Sequence, residues 1–292
     1  MLIVTGATGF LGEFVVRELY KERYPFKCLV RRSSNIETLQ ELGVNTVYGD
    51  LDDLESLLQA FQGSRVLVNL ASLGFGHAPN ILEAAKKSEI TRGIFISTTS
   101  IFTTLEPESK KIRLDAEKRI SESALSYTIL RPTMIYGTGK DRNICKLVRF
   151  VNKYPLVPVF GNGKMLMQPI FVEDLAKAVV DVVKSEEKTS SKKYNVAGKE
   201  PFSYNEILDK VATVLGKEIK KMHLPPGMVL PLLRLYNKIS SRPYFTVEQV
   251  LRLQEDKAFS YQEAFNDFSF SPRSFEEGIK LEVEDMRRRG ML

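Results

Sequence analysis

Three glycines near the start of the chain, in TGATGFLG at residues 5–12, constrain the fold more than any other stretch. Their spacing is G-x-x-G-x-x-G, and they stand between the apolar run LIVT and an amphipathic segment, Phe10–Lys21. In that context Gly6 permits a tight turn, Gly9 lets the backbone approach a pyrophosphate, and Gly12 allows close packing of helix on strand. The pattern predicts a strand–turn–helix unit that binds a dinucleotide at the helix N-terminus.

Short apolar runs then alternate with helical patterns over about 130 residues, which is typical of a doubly wound parallel sheet. The predicted strands are 2–5, 26–30, 46–48, 66–70, 93–97 and 127–130. The predicted helices are 10–21, 35–42, 53–61, 79–87 and 114–124. We therefore expect an α/β, Rossmann-like doubly wound domain in residues 1–160, which also receives elements from about 168–198. A smaller, mostly helical C-terminal substrate lobe is expected at 199–292.

Four local patterns predict element boundaries. Asp52 stands three residues before Glu55, and the pair is expected to cap the third helix. Ser203 is expected to cap a later helix together with a glutamate three residues on. Residues 155–163 hold two prolines and two glycines, and residues 185–193 are almost entirely polar, so both stretches are expected to be loops.

Composition and charge narrow the choice of partner. The 292 residues carry 42 Lys and Arg against 36 Asp and Glu, but the basic residues are scattered, so we expect no nucleic-acid partner. Two histidines cannot build a His-rich metal centre, and no metal is expected. Cys28 and Cys145 stand in apolar surroundings, which predicts buried thiols in a reducing compartment. We see no secretory signal and predict a cytoplasmic location.

The longest apolar stretch, Met228–Tyr236, contains Pro231 and Arg234. It is too short to span a bilayer, so we expect no integral membrane segment. We predict that it is a buried helix. Contact with a membrane surface is the alternative.

The residues after the second predicted strand indicate whether the expected dinucleotide is NAD(H) or NADP(H). An acidic residue there would hold the ribose hydroxyls of NAD, but LVRRSSN places Arg31 and Arg32 at this point. Arginine binds a 2′-phosphate through charge-assisted hydrogen bonds, which favours NADP(H). NAD(H) with a solvated basic turn is the alternative. The other predicted cofactor contacts are Thr5, Gly6, Thr8, Gly9, Phe10, Leu11, Gly12, Asp50, Leu51, Asn69, Ala71 and Pro132.

The motifs TGATGFLG, GDL, NLA, ILRPTMIYG and FVEDLA, with the Ser/Thr-rich end of the fifth strand, resemble the short-chain dehydrogenase/reductase superfamily. The resemblance is narrower to its atypical and extended branches, the NAD-dependent epimerase/dehydratase-like and NAD(P)H-binding proteins, and covers residues 1 to about 200. It implies that a Tyr-x-x-x-Lys pair and a Ser or Thr carry the chemistry. The tyrosine transfers a proton, and the lysine binds the nicotinamide ribose.

The chain departs from that resemblance at the catalytic pair. Aligned backwards from TILRP, the lysine position falls on Arg113, the tyrosine position on Ser109 and the Ser/Thr position on Thr98. Arg113 is therefore a predicted ribose contact, but arginine hardly deprotonates and is a poor proton relay. Lys110 or Lys111 could take the place of the lysine if the helix begins differently.

Other side chains are candidates for the missing chemistry. His77, in a glycine-bracketed loop, is a predicted general acid or base, with a helix-capping or structural role as the alternative. Tyr136 is a second catalytic candidate, with packing of the strand end as the alternative. Arg142, Asn143 and Gln168 are predicted substrate contacts.

These features predict an NADP(H)-binding oxidoreductase or epimerase that acts on a small polar molecule such as a nucleotide-sugar, with a non-standard active site. The alternative is a non-catalytic accessory or redox-sensing protein. A homodimer through helices at roughly 79–87 and 109–124 is a further option.

Overall fold

The computed structural model describes residues 1–239 and 247–292, and the chain divides into two compact units. The first unit comprises Met1–Pro132, Val172–Val196 and Ser260–Ser271. The second unit comprises Thr133–Phe171, Ala197–Phe259 and Pro272–Leu292. The predicted boundaries at 160 and 199 differ from this division. The boundaries differ because the chain passes from the first unit to the second after Pro132. They differ also because a segment near the C-terminus, Ser260–Ser271, belongs to the first unit.

The first unit is built on one parallel sheet of seven strands, in the order β11-β6-β5-β4-β1-β2-β3 with numbering along the chain. Its strands are β1 (Leu2–Thr5), β2 (Phe26–Val30), β3 (Asn45–Tyr48), β4 (Val66–Asn69), β5 (Arg92–Ile96), β6 (Ser126–Pro132) and β11 (Lys192–Val196). Its helices are α1 (Phe10–Lys21), α2 (Glu37–Glu41), α3 (Leu54–Phe61), α4 (Ala78–Lys87), α5 (Glu108–Glu122), α7 (Val172–Lys184), α8 (Glu186–Thr189) and α12 (Gln262–Phe268). The predicted Rossmann-like α/β fold is confirmed.

Continuous apolar runs form the central strands because helices cover both faces of the sheet. All four residues of β1 are buried, and α1 packs against α7. On one side of the sheet, side chains of α3, α4 and α5 gather in a single apolar cluster with those of the strands. The strand order reverses between β1 and β4, which in such sheets opens the ligand-binding crevice at the carboxyl edge.

The second unit combines two-stranded sheets with helices. Its strands are β7 (Ile135–Tyr136), β8 (Leu156–Phe160), β9 (Leu166–Met167), β10 (Ile170–Phe171), β12 (Phe202–Ser203) and β13 (Lys220–Leu224). Its helices are α6 (Ile144–Lys153), α9 (Tyr204–Leu215), α10 (Pro226–Ile239), α11 (Val247–Arg252) and α13 (Phe275–Arg288). Strand β7 pairs with β10, β8 with β13, and β9 with β12. The apolar faces of α6, α9 and α13 form its core.

The predicted caps are right at one helix and displaced at another. Ser203 and Glu206 form a complete capping box at the start of α9, as predicted. At α3 the cap is Asp53, whose carboxylate accepts a hydrogen bond from the Glu55 amide at 3.1 Å. The predicted cap Asp52 stands one residue too early, and its side chain is used elsewhere.

Both predicted loops contain regular structure. Leu156–Phe160 is strand β8, which buries Val157 and Val159 and pairs in parallel with β13. The polar stretch 185–193 holds the short helix α8 and the first residues of β11. Each of these strands pairs with a segment that is distant in sequence, so local composition did not indicate them.

The longest apolar stretch does form a helix, α10, but the prediction that it is buried is wrong. Met228 is 70% exposed and Tyr236 is 41% exposed, whereas Leu233 is buried. No helix within residues 1–239 and 247–292 has the length and apolarity needed to cross a bilayer. The predicted burial of Cys28 and Cys145 as free thiols is confirmed.

Candidate functional site

The glycine turn after β1 is held tightly between β4 and α1. Gly6 has a φ of +71°, and a Cβ there would lie 2.7 Å from the amide nitrogen of Ala71. A Cβ on Gly12 would lie 2.2 Å from the carbonyl oxygen of Gly6. Neither position accepts a side chain without movement of the backbone, so the turn keeps the shape of a phosphate-binding loop.

Two buried polar residues, at the ends of β1 and β4, hold this turn in place. Thr5 donates from its hydroxyl to Oδ1 of Asn69 at 2.6 Å, and Nδ2 of Asn69 donates to the carbonyl oxygen of Ala71 at 3.0 Å. Thr5 and Asn69 have no exposed surface. They were predicted to contact the cofactor directly, but a side chain without accessible surface cannot touch a ligand. Their contribution is to position the turn.

The N-terminus of α1 is free to receive an anion. Gly9 is the N-cap residue, is exposed, and no side chain caps the first turn. Thr8 and Phe10 are half-buried beside it, whereas Leu11 is buried in the unit. Because the first amides of a helix lack intrahelical acceptors, a pyrophosphate placed over Gly9 would satisfy them. The residues present therefore fit a dinucleotide.

Two exposed arginines follow β2 at the same edge of the sheet. Arg31 and Arg32 form no ion pair with any acidic side chain in the described part of the chain, and Arg32 lies 5.4 Å from the ring centre of Tyr48. Asp50 and Leu51 follow β3, where the Asp50 carboxylate accepts from the Asp52 amide at 3.1 Å. The arginines thus present two unneutralised cations at the edge where the adenosine half is expected.

Helix α5 carries the positions that correspond to the catalytic pair. Arg113 donates from Nη1 to the Ser109 carbonyl oxygen at 3.1 Å, and its guanidinium packs against Gly74 in the loop after β4. Lys110 donates to the Thr103 carbonyl oxygen at 2.8 Å and pairs with Glu106 at 2.6 Å. This ammonium ties the preceding loop to α5, so Lys110 does not take the place of the missing lysine.

Thr98 stands at the end of β5, as the resemblance implies. It is half-buried, and its hydroxyl accepts a hydrogen bond from the Ser100 amide at 3.2 Å. The hydroxyl can still donate to a ligand oxygen, because a hydroxyl is both donor and acceptor.

A buried ion pair beside Thr98 was not predicted. Glu117 is 2% exposed, and its carboxylate accepts from the Ser97 hydroxyl at 2.6 Å and from Nε of Arg131 at 3.0 Å. A second Arg131 nitrogen pairs with its other oxygen. Glu117 lies next to Ala116 on the buried face of α5. Charged residues are rarely buried without a partner, so an acidic residue on this face was the sequence signal for a buried ion pair. The pair fastens α5 to the ends of β5 and β6.

His77 is held by a neighbouring loop. Its Nδ1 lies 2.9 Å from Oδ1 of Asp52, and its side chain is 18% exposed. The following residue begins α4, and Nδ2 of Asn80 donates to the carbonyl oxygens of Leu51 and Asp52 at 3.1 Å each. These bonds join the loops after β3 and β4, which favours the structural alternative for His77.

The second catalytic candidate, Tyr136, and all three predicted substrate contacts lie in the second unit. Tyr136 is 1% exposed and its ring packs between those of Phe171 and Phe275, so packing replaces the predicted catalytic role. The side-chain amide of Gln168 already makes hydrogen bonds within the second unit. It donates to the Gly198 carbonyl oxygen at 2.7 Å and accepts from the Phe259 amide at 2.8 Å.

Arg142 and Asn143 are exposed at the start of α6 and remain available to a ligand. Asp141, beside them, is buried and accepts from the Asn143 and Cys145 amides, so it caps the helix. In the first unit Pro132 is buried, and its carbonyl oxygen accepts from the Thr99 hydroxyl at 3.3 Å. Pro132 therefore supports the end of β6.

A seven-stranded Rossmann-like sheet, a tight glycine turn and an uncapped helix N-terminus define an NAD(P)-binding protein of the extended short-chain dehydrogenase/reductase type. Within that class the chain belongs to the NmrA-like family, which it matches over residues 1–281. The resemblance read from its motifs is thereby confirmed.

Known proteins similar to this chain differ in what they do. It is 25% identical to NADH dehydrogenase [ubiquinone] 1 alpha subcomplex subunit 9, mitochondrial, of Arabidopsis thaliana, over 98% of this chain and 78% of the relative. It is 29% identical to ceramide reductase of Caulobacter vibrioides, over 78% of this chain and 75% of the relative. A UDP-glucose 4-epimerase of Thermus thermophilus, solved in complex with NAD, has a TM-score of 0.73 at 20% identity and covers 98% of both chains. That structural likeness concerns the fold.

Proposed function

We propose that this chain is an NADP(H)-binding accessory or redox-sensing protein that does not carry out the proton-coupled hydride transfer of its superfamily. The observation that carries the proposal is helix α5, where Ser109 and Arg113 occupy the positions of the tyrosine and lysine. A serine hydroxyl is not a phenol-like acid, and an arginine does not lower the pKa of a tyrosine that is absent.

The side chains that could substitute are engaged elsewhere. His77 is bonded to Asp52, Lys110 to the loop before α5, and Tyr136 lies in the core of the second unit. General acid–base catalysis needs a group within hydrogen-bond reach of the reacting atom, with a pKa suited to the transfer. Thr98 alone of the predicted catalytic set keeps a hydroxyl in a partly exposed position, and it can orient an oxygen but not supply a proton on its own.

The binding half of the proposal rests on residues that all lie at one edge of the sheet. The amides around Gly9 would hold the pyrophosphate, Arg31 and Arg32 the 2′-phosphate, and Arg113 a ribose hydroxyl. The cofactor itself supplies a hydride. The name of the Arabidopsis relative, a subunit of a larger assembly, agrees with an accessory role.

A reductase is the second candidate, because a relative that aligns with 78% of this chain is named ceramide reductase. In that case the hydride would pass to a small acceptor oriented by the Thr98 hydroxyl. An acceptor that takes its proton from water would not need the missing tyrosine.

NADPH is expected to bind at least about tenfold more tightly than NADH, because a 2′-phosphate adds charge-assisted hydrogen bonds to Arg31 and Arg32. Replacing both arginines by alanine should bring the two affinities together. Titration calorimetry measures both constants. The double variant Lys86→Ala, Lys87→Ala, which removes two exposed cations from the end of α4, should keep the preference. Equal affinities in the unmodified protein would contradict the NADP(H) assignment.

The accessory function predicts that bound NADPH stays reduced. Absorbance at 340 nm should not fall beyond the protein-free rate when the protein is mixed with quinones, flavins, aldehydes or nucleotide-sugars. Turnover that is lost in Thr98→Ala but kept in Thr104→Ala would favour the reductase. Binding without turnover, measured on the same sample, is the result that the proposed function requires.

A further inference from the structure

Exposed apolar side chains concentrate in one continuous segment of the second unit, residues 217–239, which holds β13 and α10. Met222 in β13 is exposed, and so are Met228 and Ile239 in α10. Tyr236 adds an exposed aromatic ring. Leu233 is the buried anchor of the helix. A large apolar side chain exposed alone is ordinary, but a run of them along one helix marks an interaction surface.

The outer face of β8, which pairs with β13, also carries apolar side chains. Leu156 is exposed and stands in register with Lys220, and Pro158 stands in register with Met222. Since side chains alternate along a strand, Val157 and Val159 point to the core while Leu156 and Pro158 point outward. The same two-stranded sheet therefore carries apolar and basic side chains on its outer face.

The charge of the segment is one-sided. Between Lys217 and Ile239 the sequence has five lysines and arginines and a single acidic residue, Glu218. Lys221 is paired with Asp209 at 2.6 Å, whereas Lys217, Lys220 and Arg234 are exposed. Helix α10 contains no acidic residue at all. Exposed methionine and isoleucine side chains, with lysines and arginines that outnumber acidic residues in the same segment, complement a membrane surface. Such a surface has an apolar interior beneath negatively charged headgroups.

We propose that the 217–239 segment docks on the surface of an anionic lipid bilayer, with the exposed side of α10 inserted among the acyl chains and its cations at the headgroups. The charge pattern favours this occupant over a second copy of the chain, whose formal charge of +6 would oppose another basic surface. The segment does not include the dinucleotide site, so docking stands or falls independently of the proposed function.

Flotation of the full-length protein with vesicles tests the proposal. Vesicles of phosphatidylcholine with 30% phosphatidylglycerol are compared with vesicles of pure phosphatidylcholine. The buffer contains about 0.1 M salt, which limits the screening of the vesicle charge. The protein is expected to partition at least about tenfold more strongly onto the anionic vesicles. The double variant Met228→Ser, Ile239→Ser should lower that partitioning by about tenfold or more. Lys220→Glu with Arg234→Glu should lower it similarly.

Matched variants outside the segment control for general effects. Leu281→Ser removes an exposed apolar side chain from α13, and Lys118→Glu reverses an exposed charge on α5, and neither should alter partitioning. Far-UV circular dichroism and urea unfolding of each variant report whether the fold is intact. Equal binding to neutral and anionic vesicles, or no vesicle binding by the unmodified protein, overturns the proposal. A dimer in solution that Met228→Ser, Ile239→Ser dissociates would assign the surface to a second copy instead.

Discussion

Replacing Gly12 by alanine is expected to lower the free energy of unfolding by about 3 kcal/mol or more and to abolish dinucleotide binding. The added methyl group would lie 2.2 Å from the Gly6 carbonyl oxygen and 2.5 Å from that of Ala7. Both atoms belong to the backbone of the phosphate-binding turn, so no side-chain rotation relieves the overlap. Helix α1 must move away from β1, and its N-terminus loses the position that a pyrophosphate requires.

Urea unfolding of the free protein and calorimetric titration with NADPH measure the two effects. Gly227→Ala is the matched control, because a Cβ there meets no atom within 4 Å. Gly9→Ala separates binding from folding. Its Cβ would meet only the Gly6 carbonyl oxygen, at 3.2 Å, which is a smaller overlap than at Gly12. The loss of stability should therefore be smaller than in Gly12→Ala, while the added methyl group lowers the affinity for NADPH. Retention of tight NADPH binding in Gly12→Ala would contradict the placement of the pyrophosphate.

The second large effect is expected at Glu282, in the middle of α13. The residue is fully buried, and neither carboxyl oxygen has a hydrogen-bond partner among the described atoms. Burial raises the pKa of Glu282 from its ordinary 4.5 to about 10, and the nearby Asp141 carboxylate adds to the rise. The folded protein therefore keeps a proton that the unfolded chain releases above pH 4.5.

Because the folded state binds the extra proton, its stability falls as the pH rises from about 4.5 towards 10. The slope from this one group approaches about 1 kcal/mol per pH unit. Glu282→Gln has the same shape and does not titrate. The variant should match the unmodified protein near pH 5 and exceed it increasingly at pH 7 to 9.

Urea unfolding at intervals of one pH unit measures this difference. Glu284→Gln, two residues along α13 and exposed, should leave the pH dependence of unfolding unchanged. A Glu282→Gln variant that is less stable than the unmodified protein at pH 9 would show that the ionised carboxylate is stabilised in the folded state.

The first unit could be predicted closely from sequence because its signals are local. Strands β1 and β2 and helix α1 begin and end where the apolar runs predict. A buried parallel strand is apolar along its whole length, so it is visible as an apolar run. Where the backbone must turn tightly or pack closely, glycine is needed, and the glycines then recur at a recognisable spacing. The second unit gave fewer local signals. Strand β8 follows Pro155 and contains Pro158. It forms because β13, 64 residues further along the chain, pairs with it.

The candidate site divides in the same way. The expected roles of the three glycines in the turn after β1 follow from their spacing. That Ser109 and Arg113 take the positions of the tyrosine and lysine follows from the alignment that the resemblance implies. Which polar side chains remain available does not follow from sequence, since a hydrogen bond such as Gln168 to Phe259 joins residues far apart in the chain.

The sequence by itself determined the fold class. It also predicted where a dinucleotide would bind, and that Ser109 and Arg113 stand where the resemblance implies the catalytic pair. These depend on residue type at fixed spacing, which backbone geometry converts directly into structure. Only the tertiary structure decided that Tyr136 packs in a core and that Thr5 and Asn69 hold the glycine turn in place. It likewise decided that Met228 in α10 is exposed. Burial and hydrogen-bond pairing depend on which distant segments meet, and an apolar helix has the same sequence pattern whether protein or another surface covers it.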